Sequence, residues 1–359
     1  MRHAFAIIAG VGLLLLAIAS LLPLLETDAW WVRYLDFPRM QFAAGLVVLW
    51  VLMVALGGIG RGAARWLTVL ALIALGYHGW KLWPYQPLAA KMDPGTATCG
   101  PEARLSVMVA NVQRKNRQAN EVIALAREQN PDLFFVLETN GWWDEALSAL
   151  DADYDHHLQD IPSDATYYGM HVFSRHPFAD TEMRFPFGAD TPLFVGTLDH
   201  PARQIRVFGI HPRPPHYFQP STLRDATVLE AAIEARDGDL PALLAGDFNA
   251  TPWERTSRRA LRLGGLIDPR AGRGPLISFD ANSWWMKWPL DQILWQQGLA
   301  MTGFEVLDGL GSDHYPVLAE LCVTDGVDLR PLAPRDSDDA EARATLEKAR
   351  AMPDAAFDG

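Results

Sequence analysis

Hydrophobic and polar residues are distributed in two different ways along this chain. In the first part the apolar runs are long, and residues 4–25, 40–60 and 66–83 are nearly free of charge. The first two reach the roughly 20 residues that cross a hydrocarbon core of ~30 Å, whereas the third is shorter by composition. The pattern predicts a membrane region over residues 1–83 with three transmembrane helices. A cleaved signal peptide for the first run and an interfacial or re-entrant helix for the third stay open as alternatives.

Further along, short apolar runs alternate with amphipathic segments. The runs predict strands at Leu105–Ala110, Asp132–Leu137, Gly169–Ser174, Phe194–Leu198, Ile205–Ile210, Ala242–Ala245, Leu290–Trp295 and Val317–Val323. Amphipathic segments predict helices at Ala119–Gln129, Trp142–Leu150, Leu223–Arg236 and Glu254–Leu263. Because strands outnumber helices and helices separate only some strand pairs, we expect an α/β (α+β) fold of two packed sheets flanked by helices.

Composition marks the boundaries of this second region. Residues 84–101 are dense in proline and glycine and predict a linker, which leaves 102–325 as the folded domain. Residues 326–359 are rich in proline and acidic residues and predict a mostly disordered acidic tail, in which 340–351 has the composition of a short charged helix.

Charge is unevenly distributed along the chain. Residues 1–99 hold seven Lys/Arg and four Asp/Glu, whereas residues 100–325 hold 19 and 31. An acidic domain argues against tight, sequence-independent binding of long nucleic acid, which needs a basic surface. Arg2, Arg61 and Arg65 flank the apolar runs on one side and predict that this side faces the cytoplasm. Three spans then place residues 102–325 outside it, and a domain facing the cytoplasm is the alternative.

The chain has two cysteines, Cys99 and Cys322. They lie just before the first predicted strand and at the end of the last one. If these strands are antiparallel neighbours, a disulfide is feasible, and an oxidising compartment would permit it. Two unpaired thiols remain the alternative.

Polar residues follow or precede the predicted strands at recurrent positions. Gly246-Asp247-Phe248-Asn249 follows one strand, and Ser312-Asp313-His314-Tyr315-Pro316 precedes the last one. The other pieces, in chain order, are Asn111, Glu138, Tyr167-Tyr168-Gly169, His211-Pro212 and Asp291. Carboxylate, amide and imidazole groups together suit a hard divalent cation and a phosphoryl oxygen.

In this order, the pieces resemble the endonuclease/exonuclease/phosphatase family, the metal-dependent phosphoesterases related to pancreatic deoxyribonuclease. With the apolar runs in front, the chain looks most like membrane-anchored bacterial members. The resemblance covers residues 105–323 and implies a four-layer α/β/β/α sandwich, here preceded by three transmembrane helices.

The resemblance also implies roles for single residues. Glu138 would be the main Mg²⁺ ligand, assisted by Asn111 and Asp313, with Mn²⁺ as a possible substitute. Asp247 would orient or deprotonate the attacking water, and Asn249 would hold a phosphate oxygen. His314, positioned by Asp291, would stabilise or protonate phosphate oxygens, and His211 would act in the same manner. The residues that would contact substrate are Tyr167, Tyr168 and Arg213.

The sequence therefore predicts a Mg²⁺-dependent hydrolase of phosphoric esters in the bacterial inner membrane, with a periplasmic or otherwise extracytoplasmic catalytic domain. A phosphodiester is favoured over a monoester, and the substrate is a lipid headgroup, a nucleic acid or a small molecule. No specific protein partner is expected. A catalytically silent binding module on the same fold, or a nuclease, are the alternatives. Two further groups of residues could contact lipid or nucleic acid, and ordinary packing or solvation would explain them equally well. They are the arginines Arg255, Arg258, Arg259 and Arg262 and the tryptophans Trp142, Trp143, Trp284, Trp285 and Trp288.

Overall fold

The structure is a computed structural model that describes residues 1–96, 98–162, 169–188, 191–215 and 219–352. Its N-terminal part is helical. The helices are α1 Arg2–Leu21, α2 Trp30–Tyr34, α3 Arg39–Leu56 and α4 Arg61–Leu82.

Three of these helices, α1, α3 and α4, pack into a bundle through small and apolar side chains. The buried contacts are made by Ala9, Leu13, Ala17, Leu46, Met53, Ala71 and Ala74. In the described part of the chain, two helices are long and apolar enough to cross a membrane, Arg2–Leu24 and Arg39–Leu56. Helix α4 is 22 residues long, but its arginines and Lys81 lower its average hydropathy. The third span therefore stays a prediction.

The described residues that follow the bundle form two sheets and five α-helices. The strands are β1 Arg104–Asn111, β2 Leu133–Thr139, β3 His156–Asp160, β4 Gly169–Ser174, β5 Phe178–Arg184, β6 Leu193–His200, β7 Arg203–Ile210, β8 Ala242–Asp247, β9 Asp291–Trp295, β10 Leu299–Val306 and β11 Val317–Val323. The helices are α5 Ala119–Gln129, α6 Gly141–Leu147, α7 Thr222–Asp237, α8 Arg255–Gly264 and α9 Asp338–Arg350. One sheet has the order β10-β11-β1-β2-β4-β3, and the other has the order β5-β6-β7-β8-β9.

The main hydrophobic core lies between the two sheets, where inward residues of β1, β2 and β4 meet those of β6, β7 and β8. Helices α5 and α6 cover the outer face of the six-stranded sheet, and α7, α8 and α9 cover that of the five-stranded sheet. The predicted α/β sandwich is confirmed. Every strand and helix predicted for residues 102–325 is present, with ends that differ by a few residues.

Three strands are missing from the prediction: β3, β5 and β10. Each lies at an edge of its sheet. An edge strand is covered on fewer sides, and neither β3 nor β5 has a fully buried residue. Their short apolar runs are therefore too weak to indicate a strand.

The prediction of a mostly disordered tail is wrong for residues 338–350. Helix α9 buries Ala342, Leu346 and Ala349 against α7, and Asp338 forms an ion pair with Arg262 at 2.6 Å. Three small or apolar residues on one helix face provide enough contact to dock a helix whose overall composition is charged.

The cysteines form a disulfide. Strands β1 and β11 pair antiparallel, with Arg104 opposite Cys322. The Cα atoms of Cys99 and Cys322 are 5.6 Å apart, and the two residues are separated by 223 positions in sequence. The bond closes the sandwich at the edge away from Asn111, as the predicted pairing requires.

The segment between α1 and α3 docks on the five-stranded half of the sandwich. Arg33 of α2 is buried and forms ion pairs with Asp225 at 3.3 Å and Glu254 at 2.9 Å. Trp253 Nε1 donates to the carbonyl oxygen of Asp36 at 2.6 Å, and Lys81 at the end of α4 donates to the carbonyl oxygen of Trp253 at 2.9 Å. The helical part is thus attached to the domain through buried charged and polar contacts.

Candidate active site

The polar residues singled out in the sequence lie at one edge of the sandwich. In the six-stranded sheet, β1 and β2 run parallel and end near Asn111 and Glu138. In the other sheet β7 and β8 also run parallel, and Asp247 at the end of β8 lies opposite Asp291, the first residue of β9. The carboxyl ends of parallel strands are the usual position of functional groups, and here both sheets contribute to one place.

A glycine allows Asp247 to reach this edge. Gly246 has a φ of 147°, and a Cβ atom there would lie 1.8 Å from the carbonyl oxygen of Ile210 on β7. Only glycine permits so close an approach of β8 to β7. The next residue, Asp247, is buried, and its Oδ1 accepts a hydrogen bond from the backbone N–H of Asn249 at 2.9 Å.

Asn111 connects the two sheets at the site. Its Nδ2 donates to Glu138 Oε1 at 3.0 Å and to Asp247 Oδ2 at 3.2 Å. Its Oδ1 accepts from the backbone N–H of Gln113 at 3.1 Å, which fixes the orientation of the amide. Glu138 itself has a positive φ of 61°, a backbone conformation that is rare for a glutamate and concentrated at functional sites.

His314 lies between two carboxylates. Its Nδ1 donates to Asp291 Oδ2 at 2.8 Å, and its Nε2 lies 3.7 Å from Asp247 Oδ2. Burial disfavours the charged ring, but the negative charges of Asp291 and Asp247 outweigh it and raise the pKa of His314 to about 10. The ring is therefore an imidazolium at neutral pH.

His211 is the second imidazole next to Asp247. Its Nε2 lies 3.7 Å from Asp247 Oδ2. Burial lowers the pKa of His211, and the Asp247 carboxylate only partly opposes this effect. Burial likewise raises the pKa of Asp247, although the positive charge of His314 acts in the other direction. A buried carboxylate with a raised pKa is a better proton acceptor than an exposed one.

Two sets of donor groups are placed to hold a cation. Ligand atoms of Asp247, Asp291 and His314 lie within 4.8 Å of one another, but a protonated imidazole has no free lone pair for a metal. Glu138 and Asp313 form the other set. Burial raises the pKa of Asp313, and the negative charge of Glu138 adds to that shift, as expected for two carboxylates that face each other. The two carboxylates fit Mg²⁺, which binds one or two protein carboxylates and keeps water and phosphate as its other ligands. Asn111 faces Glu138 with its Nδ2 donor, so its amide would have to turn before Oδ1 could serve as a third ligand.

A pocket of about 160 Å³ opens in front of these groups. Its polar lining consists of Glu138, Asp247, Asn249, Asp313 and His314. Its apolar lining includes Phe279, Trp288 and Leu290, together with Tyr34 and Phe37 from the segment between α1 and α3. Tyr34 and Phe37 stack with ring centroids 5.1 Å apart, and Phe37 meets Trp288 edge-on at 5.6 Å.

The structure brings together eight of the predicted site residues. These are Asn111, Glu138, His211, Asp247, Asn249, Asp291, Asp313 and His314. Arg213 is buried two positions after His211 and does not line the pocket. Tyr167 and Tyr168 lie outside the described residues.

Sequence reasoning missed Tyr34 and Phe37. They lie about 100 residues or more before every polar pocket residue, in a segment that the sequence marks only as a loop between two apolar runs. It also missed Ser312 as a support of the site, although the serine is part of the motif. Ser312 Oγ donates to the carbonyl oxygen of Asn111 at 2.7 Å and accepts from the N–H of His314 at 3.1 Å. In the sequence, only the position of this serine next to Asp313 and His314 could have indicated its supporting role.

Comparison with known proteins agrees with the fold described above. Among solved structures, D. rerio TDP2 complexed with single strand DNA product has a TM-score of 0.52 and 15% identity, and it covers 61% of this chain and 98% of its own. Selenomethionine TDP2 from Caenorhabditis elegans has a TM-score of 0.51 and 16% identity, with coverage of 61% and 74%. At these identities the likeness shows the fold alone. No curated protein matches the chain.

The sequence of residues 108–314, which hold all of the polar pocket residues, matches the model of the endonuclease/exonuclease/phosphatase family. That segment is more than half of the chain. The chain therefore belongs to the endonuclease/exonuclease/phosphatase family.

Proposed function

We propose that this protein is a Mg²⁺-dependent phosphodiesterase, anchored in the bacterial cytoplasmic membrane, that hydrolyses a phosphodiester in the headgroup of a membrane lipid. The observation that carries the proposal is the composition of the pocket. Buried acid–base groups form its polar lining, and Tyr34 and Phe37 from the segment between two membrane-type helices form part of its apolar lining.

In this proposal, Asp247 accepts the proton of the attacking water. Its raised pKa makes it a competent base, and Asn111 and the backbone of Asn249 hold its two oxygens in place. The Nε2–H of His314 points towards the same carboxylate and is positively charged, so it would donate to a phosphate oxygen as negative charge develops. Asp291 is the positioning residue for this ring, since it holds Nδ1.

Glu138 and Asp313 are the residues that would hold Mg²⁺ or Mn²⁺, and Asn111 would join them through Oδ1 after a turn of its amide. A divalent cation bound there would polarise the P–O bond and neutralise charge on the phosphate. Asn249 lines the pocket and is held by a hydrogen bond from its Nδ2 to the carbonyl oxygen of Pro212 at 2.9 Å. This contact leaves Asn249 positioned to bind a phosphate oxygen, with His211 behind Asp247.

The apolar lining supports a lipid substrate. Next to the pocket, the loop that ends at Trp288 has Trp284 90% exposed and Trp285 half exposed. The carbonyl oxygen of Trp285 accepts a hydrogen bond from Gln41 at the start of α3, at 2.6 Å. Exposed tryptophans level with the end of an apolar helix are typical of the membrane–water interface. The pocket would then open at the height of the lipid headgroups.

The helical bundle supports the membrane attachment. Large apolar side chains such as Ile8, Val48 and Ile73 point outwards and are more than half exposed, which is unusual for a soluble surface and expected for a lipid-facing one. Helix α4 packs against both α1 and α3 and, at 1.5 Å per residue, its 22 residues extend over roughly 33 Å. It therefore has the length to cross the membrane beside them despite its lower hydropathy.

A nuclease is the second candidate, since one fold relative, D. rerio TDP2, is described in complex with a single strand DNA product. The excess of 31 acidic over 19 basic residues in positions 100–325 weighs against it. The two candidates are separated by offering the full-length protein phospholipid vesicles, single-stranded DNA and RNA under one Mg²⁺ condition. Release of a phosphorylated headgroup supports the proposal, and turnover restricted to DNA or RNA replaces it with a nuclease.

The catalytic proposal is tested with Asp247→Asn and bis-p-nitrophenyl phosphate. Because a general base contributes roughly 10²–10⁴-fold to rate, we expect turnover to fall by about 10³-fold while the melting temperature stays near that of wild type. Asp151→Asn, a change at an exposed carboxylate outside the pocket, is the matched control. The protein would be a catalytically silent binding module if Asp247→Asn turned over as fast as the control. The same conclusion would follow if wild type showed no metal-dependent turnover.

A second pair of variants tests whether the apolar lining of the pocket contacts the lipid substrate. Phe37→Ala should lower the rate of hydrolysis of vesicle lipid about 10-fold or more. The rate with bis-p-nitrophenyl phosphate should stay within about threefold of wild type, because this small substrate does not need the apolar lining of the pocket. Trp142→Ala removes a partly exposed aromatic residue that does not line the pocket and serves as control. Equal losses on both substrates would argue that Phe37 merely supports the fold.

A further inference from the structure

A second cavity, of about 420 Å³, lies between the helical bundle and the domain. It is lined by the domain-side ends of α1 and α4, by the first turns of α8 and by residues 332–335. It shares no lining residue with the pocket of the candidate active site.

The lining of this cavity is strongly cationic. Its positively charged residues are Lys81, Arg255, Arg258, Arg262 and Arg335, and Glu26 is the one carboxylate among its lining residues. Two of these charges are paired, because Arg255 lies 3.4 Å from Glu26 and Arg262 lies 2.6 Å from Asp338.

The other three positive charges take part in no ion pair within the described ranges of the chain. Among the residues that the structure describes, no carboxylate forms an ion pair with Lys81, Arg258 or Arg335. Three uncompensated cations around one cavity create a local positive potential on a chain whose net charge is −12. The overall composition gives no hint of this potential.

The cavity also has an apolar side, which continues onto the bundle. Leu24 at the end of α1 is 57% exposed and Trp80 near the end of α4 is 63% exposed, and both line the cavity. A ligand that contacts both parts must therefore combine an anionic group with a long apolar group. A soluble phosphate or a nucleic-acid backbone provides only the first.

We propose that this cavity binds the headgroup of an anionic glycerophospholipid whose acyl chains lie along α1 and α4. Basic pockets between membrane helices bind anionic lipid headgroups in other membrane proteins. Trp253, which lines the cavity, links it to the docking contacts, since this residue is hydrogen bonded to both Lys81 and Asp36. The bound lipid therefore stabilises the attachment of the domain to the bundle. This inference rests on the membrane attachment proposed above and not on the catalytic step.

The test measures lipid binding and thermal stability of the full-length protein in detergent, with dioleoyl phosphatidylglycerol as the anionic probe and dioleoyl phosphatidylcholine as the neutral one. The variant is Arg258→Gln with Arg335→Gln, which removes two cations without breaking an ion pair. Arg127→Gln with Arg343→Gln is the control, since both arginines are exposed and lie outside the cavity.

We expect one phosphatidylglycerol per protein in native mass spectra and a higher melting temperature with that lipid than with phosphatidylcholine. Each cation near an anionic headgroup contributes about 1 kcal/mol, so the variant should bind roughly 30-fold more weakly, with the control unchanged. Equal binding of the two lipids, equal binding by variant and wild type, or full displacement by equimolar glycerol phosphate would overturn the proposal. A protein that does not insert into lipid nanodiscs would instead contradict the membrane attachment.

Discussion

At the scale of single residues, the site depends on backbone positions that ordinary side chains rarely adopt. Glu138 and Asn249 both have positive φ, 61° and 48°, and both line the pocket. Such conformations cost of order 1–3 kcal/mol and persist where the surrounding structure holds them. The hydrogen bonds from Asn111 to Glu138 and from Asn249 to Pro212 are the contacts that hold them here.

The role of Glu138 as a metal ligand is open to direct measurement. Glu138→Gln keeps the shape of the side chain and removes its charge, so we expect Mg²⁺ to bind roughly 10–100-fold more weakly, with activity partly recovered at high Mg²⁺ concentration. The measurement is the Mg²⁺ dependence of bis-p-nitrophenyl phosphate hydrolysis after chelation. Glu145→Gln on α6, an exposed glutamate away from the pocket, should leave the Mg²⁺ curve in place. An unchanged curve for Glu138→Gln would assign the cation to other residues.

At the scale of elements, strands with a buried apolar run were predictable, including the edge strand β9, whereas the edge strands β3, β5 and β10 were not. Strands β1, β2 and β8 are buried on both faces and carry continuous apolar runs, so their ends, and with them Asn111, Glu138 and Asp247, were evident from sequence. Edge strands such as β5 have mostly exposed residues and leave no comparable pattern.

Contacts between distant segments were also beyond sequence reasoning. Arg33 pairs with Glu254, 221 positions away, and a charged residue in a loop gives no indication of a buried partner. Burial opposes the ionisation of Asp225, but Arg224 and Arg33 outweigh it and lower the pKa of Asp225, so this carboxylate stays charged at neutral pH. For Glu254, burial is the stronger effect and raises the pKa. The sequence can suggest which residues carry catalytic or metal-binding groups, but whether a charged residue such as Arg33 is buried against a distant partner depends on the whole fold.

The Arg33 network should be essential for docking the helical part. Arg33→Met leaves two buried carboxylates with fewer counter-charges, and removal of one partner from a buried ion pair costs about 3–5 kcal/mol. We expect a clearly lower melting temperature, and partial recovery in Arg33→Met with Glu254→Gln. Arg127→Met removes an exposed ion pair with Asp153 and an exposed hydrogen bond to the carbonyl oxygen of Ala149, and it should have little effect. A shift no larger than that of Arg127→Met would mean that the segment is held by other contacts.

The disulfide should stabilise the sandwich independently of the site. It connects residues 223 positions apart, and loss of a native disulfide typically costs about 2–5 kcal/mol. Cys99→Ser with Cys322→Ser should therefore unfold at a lower temperature, and reductant should destabilise wild type but not the variant. Two free thiols in unreduced protein isolated from cells would contradict the pairing.

At the scale of the whole molecule, the proposed orientation in the membrane rests on the two ends of the helical bundle. His3 and Gly58 are close neighbours, so the N-terminus and the loop between α3 and α4 lie at the same end of the bundle. Arg2 and Arg61 also belong to that end, away from the domain. Positive charge concentrated there predicts a cytoplasmic N-terminus and a domain on the other side, where a disulfide is permitted.

This orientation is tested with reporters fused to the C-terminus of the full chain in a bacterial host. We expect alkaline phosphatase fused there to be active and green fluorescent protein to be dark. Strong fluorescence with inactive phosphatase would reverse the orientation and place the domain in the cytoplasm. Replacement of Arg61 and Arg65 by glutamine should weaken the preference for one orientation, and the exposed pair Arg127 and Arg343 serves as the matched control.

The contribution of Tyr34 and Phe37 to the pocket has a consequence for how turnover would depend on concentration. In the membrane-anchored protein proposed above, a site that shares a wall with the anchor stays at a set height and angle above its bilayer, and the protein cannot diffuse to another bilayer. It would therefore encounter only molecules in its own leaflet. Its rate would follow the mole fraction of substrate within that leaflet, and it would fall when inert lipid dilutes the surface even if the total amount of substrate in the sample stays constant.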